Sequence, residues 1–178
     1  PYADINLSVK DFGFNDTKLG HLYLDSQLDP LTNKVDLNGR IVNDNDKTTS
    51  ISGNINPVTQ ELSIYFDSQQ VDIAFLNKYA SSLFNDIKGT GVGNIHLFGN
   101  FSKVTVEGNA YIENGELGIN FLNTRYSFSD TIHLKQDLIY FNDLKLKDQK
   151  GNSASISGKV VHDYFSNFIY FIQLDSKN

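Results

Sequence analysis

Apolar and polar residues alternate with a period of two along most of this chain. Ile5, Leu7 and Val9 alternate with Asn6, Ser8 and Lys10, and Leu62, Ile64 and Phe66 alternate with Ser63 and Tyr65. The same alternation runs through Leu19–Leu24, Val35–Leu37, Ser50–Ile55, Leu144–Leu146, Ser155–Val160 and Phe168–Leu174. Successive side chains of a strand point to opposite faces, so each run predicts a strand with one apolar and one polar face. Turn residues separate the runs: Asp29-Pro30, Asn43–Asp46, Asn56-Pro57, Gln136-Asp137 and Lys147–Ser153. Such clusters favour turns because Asn and Asp bond their own backbone and Pro fixes φ.

The stretch Gly89–Tyr126 organises the rest. Ile95 and Leu97 lead to Gly99, Val104 and Val106 lead to Gly108, and Ala110 and Ile112 lead to Asn114-Gly115. Leu117, Ile119 and Phe121 follow. Asn-Gly between alternating runs predicts a hairpin with a type I′ turn. A short pattern also recurs: apolar, any residue, apolar, any residue, Gly. It ends at Gly39, Gly108 and Gly158, with variants at Gly53 and Gly99. Glycine inside a strand pattern marks a bulge, bend or close backbone approach, and repeated bends would curl a sheet.

One segment breaks the period. Leu76, Tyr79, Ala80, Leu83, Phe84 and Ile87 recur at helical spacing, which predicts a short helix over residues 77–86 with Asn77 as N-cap. The glycine-rich Gly89–Gly93 then reads as a flexible connection from helix to sheet, because it matches no phosphate-binding pattern. The fold class expected is all-β: an elongated, curled, antiparallel-rich sheet with an apolar concave interior and one short helix.

Composition supports this. Tyr and Phe are frequent (9 and 13), Pro is rare (3), and the 178 residues are compatible with a single domain. The absence of Met, even at position 1, suggests a segment of a longer protein. A net charge of −6 argues against a nucleic-acid partner, which needs a basic face. With no Cys, disulfides, thiolate chemistry and Cys-based zinc sites drop out. His21, His96, His133 and His162 each stand without a second ligand at metal spacing. Asp44 and Asp46 begin like a calcium loop but lack its Gly and distal Glu. No catalytic residue, cofactor or metal is assigned, and the chain reads as non-enzymatic. What remains is apolar surface. Its candidate wall is Ile95, Leu97, Val104, Val106, Leu117, Ile119 and Phe121, and a large uncovered apolar patch marks a binding site.

The order GTGVGNIHLFG, VTVEGNAYIENGELGINFLNTRYSF, DTIHL, LIYFNDLKLKDQKGNSASISG and VVHDYF resembles the C-terminal region of TamB-like proteins. These are the inner-membrane-anchored subunits of the translocation and assembly module, within the AsmA-like, bridge-like lipid-transfer superfamily, and the form here is similar to Bacteroidetes-type versions. The resemblance is clearest over residues 89–174 and weaker before residue 88. It implies a single β-groove segment spanning 1–178, with 1–88 as the first part and 89–178 as the matching sheet. It implies a periplasmic location, an inner-membrane anchor outside this segment, and an outer-membrane Omp-type β-barrel assembly partner. The cargo it implies is phospholipid or a nascent outer-membrane protein. No functional residues are carried over, and Gly99, Gly108, Asp148, Gly151 and Gly158 read as architectural.

Two other readings stand beside this one. An extracellular all-β glycan-binding module would use Tyr platforms in place of the absent Trp. A β-helical polysaccharide enzyme would need a regular repeat and an acid/base pair; the sequence shows no regular repeat, and among its many turn carboxylates, which could pair in space, it gives no reason to choose two.

Overall fold

The structure, a computed structural model, describes residues 3–176 apart from residue 121. It is all-β. The strands are β1 (Ala3–Phe14), β2 (Thr17–Asp29), β3 (Lys34–Val42), β4 (Thr48–Asn56), β5 (Glu61–Asp72), β6 (Phe84–Asn100), β7 (Lys103–Ile119), β8 (Thr124–Lys135), β9 (Leu138–Asp148), β10 (Ser153–Asp163) and β11 (Ser166–Ser176). They form one open antiparallel sheet whose spatial order is the sequence order, β1 to β11.

The register carries the period-two pattern across the whole sheet. One row reads Leu7, Leu24, Gly39, Ile51, Phe66, Ile95, Gly108, Leu134, Ile139, Val160, Tyr170, each residue opposite the next. The neighbouring row, on the other face, reads Ser8, Tyr23, Arg40, Ser50, Asp67, Asn94, Asn109, His133, Tyr140, Lys159, Phe171. A slip of one residue would exchange these faces, so the apolar pattern itself locks the register.

The turns follow local chemistry. Asn15 (φ 46°) and Asp16 (φ 62°) both take positive φ, the type I′ requirement, and join β1 to β2. Between β9 and β10, Asp148 Oδ1 accepts from the Lys150 and Asn152 amides, each at 2.8 Å. Asn152 Nδ2 donates to Asp148 Oδ2 at 2.8 Å, and this side-chain bond first, then the two amides, holds the carboxyl below the usual range.

Three local expectations need correction. Asn114-Gly115 is not a hairpin: β7 continues through it, and the register with β8 shifts between Ile112 and Gly115. Asn114 takes φ 50°, so the positive-φ preference of the pair is spent on a bulge. Residues 89–93 are not a connection but part of β6. Their smallness is needed there. A Cβ on Gly91 would lie 3.3 Å from the Ile73 side chain, and one on Gly93 would lie 2.1 Å from the Asn109 carbonyl oxygen. The helix, finally, is shorter than its periodicity suggests. A 3₁₀ turn (Ala74–Leu76) runs into α1 (Asn77–Ala80), and Phe84 and Ile87 already belong to β6. Asn77 does not cap it. Its side chain donates to the Ala74 and Ile87 carbonyls and accepts from the Ile87 amide, tying the turn to the strand behind it.

Gly108 shows why glycine recurs. It sits opposite Ile95 at φ 143°, and a Cβ there would lie 2.1 Å from the Asn94 carbonyl oxygen. Gly93 makes the mirror-image approach to Asn109 on the facing strand. Backbone this close, in a dihedral region side chains avoid, turns both long strands out of a plain pleat.

Candidate functional site

The apolar face is the feature from which a function can be argued, and its two halves differ. Across β1–β5, Leu22, Ile41 and Ile51 form a buried cluster, with Val9, Phe12, Leu19, Leu24, Ile64 and Phe66 packed against it. On the same face, β1 leaves Ile5 59% and Leu7 45% exposed. Across β6–β11 the face folds onto itself. Phe141, Leu144, Leu146, Ala154 and Ile156 form one buried cluster, and Ile73, Ile87 and Ile112 form a second. Phe128 and Ile132 of β8 pack against both. The face is therefore filled by its own side chains in both halves, and over the N-terminal strands its exposed apolar residues lie at the margin, on β1.

Between the halves lies the connector, residues 73–83. Ile73 is buried against Ile87 and Ile112, and Ala80 packs on the same cluster, so the connector rests on the apolar face. Its root is stitched to the sheet by Asn77 and by Asn120, whose amide donates to Leu83 O and whose Nδ2 donates to Ser81 O, both at 3.0 Å.

The sequence-predicted wall falls in the middle of this face. Ile95 and Leu97 are half-buried, opposite Phe66 and Ile64 on β5 and opposite Gly108 and Val106 on β7. Val104 is half-buried opposite Gly99, and Leu117 packs on the Ile73–Ile87–Ile112 cluster. Val106 is buried, and Ile119, beside Phe84, keeps only 2% of its surface. Phe121 lies outside the described residues. Ile5 and Leu7, exposed on this face, are not among those seven. Their alternation marks a strand but says nothing of its place at the sheet margin, which sequence alone does not fix.

The polar face carries ring stacks. Tyr65 and His96 stack with centroids 4.0 Å apart, and His96 stacks on Phe98 at 4.5 Å. His96 Nε2 lies 2.9 Å from Ser63 Oγ. His133 stacks on Tyr140 at 4.8 Å and sets Nδ1 2.6 Å from Asn109 Oδ1. These are cross-strand and same-strand neighbours that stabilise a sheet face. His162 differs: it is 3% exposed, beside Phe165 and Phe168, and its Nδ1 accepts from the Phe165 amide at 3.3 Å. Its Nε2 has no partner among the described residues. Burial pushes its pKa down, with Asp137 and Asp163 partly opposing.

Charged groups pair locally. Lys18 lies 3.0 Å from both Asp11 and Asp44, and Asp86 lies between Arg125 (2.6 Å) and Lys88 (3.2 Å). Among the described residues no group of three or more His, Asp or Glu is placed to hold a metal ion, and no helix is long and apolar enough to cross a membrane.

Fold and face together define an open, curled, all-β sheet with one apolar face, on which the connector rests. No protein-family model, no curated protein and no solved structure matches the chain.

Proposed function

We propose that this chain is a noncatalytic segment of a TamB-like cell-envelope protein, working in the periplasm. Its apolar face carries phospholipid between membranes or shelters a nascent outer-membrane protein. Its partner in this reading is an Omp-type β-barrel assembly protein, and the inner-membrane anchor lies outside the segment. One observation supports this above the rest: among the described residues a single apolar row runs through every strand of the sheet, and at its β1 end Leu7 is 45% exposed. Each methylene laid against such a wall contributes about 0.8 kcal/mol before ordering costs.

Photo-crosslinking tests the reading. A photoreactive residue at Leu7, on the exposed β1 margin of the face, is expected to capture phospholipid in cells, whereas one at Ser8, on the other face, is not. Equal labelling at both, or none at Leu7 with the protein intact, defeats lipid carriage; capture of an outer-membrane protein instead selects the second cargo.

A glycan-binding module is the second reading, and the polar face favours it. Tyr65 leaves 52% of its surface exposed beside Ser50 and Ser52, with Asp67, Asn94 and Glu107 around it. A glycan array on the wild type and on Tyr65→Ala decides it.

A further inference from the structure

Among the described residues the connector is the one helical segment in the meander, and its outer side touches both margins of the sheet. Towards the β1–β2 hairpin, the Phe75 ring packs edge-on against Phe14 with centroids 5.8 Å apart. Asn15 Nδ2 donates to the Tyr79 hydroxyl at 3.0 Å, and Lys78 Nζ donates to Asn15 Oδ1 at 3.4 Å. Towards the far margin, Ser82 Oγ and the Tyr170 hydroxyl of β11 share a hydrogen bond at 3.0 Å. The connector joins β5 to β6, so β1 lies four strands away on one side and β11 five on the other. In a flat sheet those distances would be about 19 and 24 Å. One short segment reaches both because the sheet curls round it.

The two sides of the connector are held unequally. The root has buried Ile73 and the three part-buried bonds of the Asn77 side chain. The tips have solvent-exposed hydrogen bonds at each margin and one ring contact. Exposed contacts of this kind open at far lower free energy than buried ones.

We propose that residues 73–83 are a strap across the curled sheet. Fastened, the strap holds both margins inward and divides the apolar face between β5 and β6. Released at its tips, it lets the margins separate, so that the face becomes continuous from β1 to β11. Only the identity of what then enters rests on the proposed transport function; the movement itself does not.

The chain has no cysteine, so introduced cysteines report without background. Spin labels at Ser8→Cys in β1 and Gln173→Cys in β11 measure the separation of the margins in the full chain. Adding Tyr79→Phe and Tyr170→Phe removes a tether at each tip while keeping the rings. The expected result is a longer distance population, displaced by at least about one strand spacing, about 5 Å. An unchanged distribution overturns the strap. A second measurement does not depend on how well those variants fold. Asn15→Cys and Lys78→Cys are bridged by a short bis-maleimide, and uptake of the fluorescent fatty acid cis-parinaric acid is timed. Bridged protein is expected to take up the probe at least about tenfold more slowly than the same protein unbridged. Equal rates overturn the proposal. If neither form takes up the probe, the transport reading fails, and the spin-label distances still decide the strap.

Discussion

Gly108 gives the sharpest test of how the sheet is shaped, because Gly151 provides an internal control. Both take positive φ, 143° and 87°. A Cβ on Gly151 meets nothing within 4 Å, whereas one on Gly108 would lie 2.1 Å from the Asn94 carbonyl oxygen. Gly151→Ala therefore isolates the dihedral cost, about 1–2 kcal/mol, less about 0.5 kcal/mol from the stiffer unfolded chain. The net is about 1 kcal/mol. Gly108→Ala adds to its own dihedral strain, about 1–3 kcal/mol, the cost of pushing two backbones apart. Overpacking of this kind adds about 1–3 kcal/mol, for a total near 4 kcal/mol. The neighbour here is a main-chain carbonyl between paired strands, which cannot swing aside as a side-chain tip can. Urea denaturation followed by far-UV circular dichroism compares the two. With a slope of about 2 kcal/mol per molar, the midpoints of the variants are expected to differ by about 1.5 M. Midpoints within about 0.3 M of each other would show that β6 and β7 do not approach as closely as described, and the account of the bend would fail.

Other outcomes follow from burial and charge. Leu146, 2% exposed, and Leu7, 45% exposed, are the same residue in opposite settings. Leu146→Ala is expected to cost about 2–5 kcal/mol in urea unfolding and Leu7→Ala under about 1 kcal/mol; similar losses would contradict the contrast between the buried interior of the face and its exposed β1 margin. His162 has a folded pKa below its ordinary 6.5, because burial disfavours its charge. The unfolded chain therefore takes up this proton first as acid is added. The stabilising contribution is complete above 6.5 and is lost as pH falls below it. Urea midpoints at about pH 7.5 and about pH 5.5 should fall more for the wild type than for His162→Gln; an equal fall would remove His162 from the account.

Much of the architecture could be read from period two alone. Ile5–Val9, Leu62–Phe66 and Phe168–Leu174 all lie in strands, and the turns at Asn43–Asp46 and Lys147–Ser153 fall where Asn, Asp and Gly cluster. Short-range signals failed where one residue type serves two geometries. Asn114-Gly115 supplies positive φ equally well to a turn or a bulge, and only pairing with β8 selects the bulge. Phe84 and Ile87 fit the helical spacing that begins at Leu76, yet Phe84 pairs with Ile119 and Ile87 joins the core as part of β6. Gly89–Gly93 looks flexible in isolation and is strand because it pairs with β7, whose backbone leaves no room for a Cβ at Gly93. The candidate wall was located on sequence position. How much of it is covered depends on which rings meet across the curl, Phe128 against two clusters and Phe75 against Phe14, and no local pattern encodes that.

The unbroken strand order has a consequence for how the molecule comes into being. Every strand pairs only with its nearest neighbours in the chain, so no early strand waits for a late one to complete it. Loop closure is short at each step, and such local topologies assemble quickly. A polypeptide delivered from one end can therefore zip up hairpin by hairpin as it arrives. The strap, made after β5 and before β6, is in place before the strand carrying Tyr170 comes round to meet it.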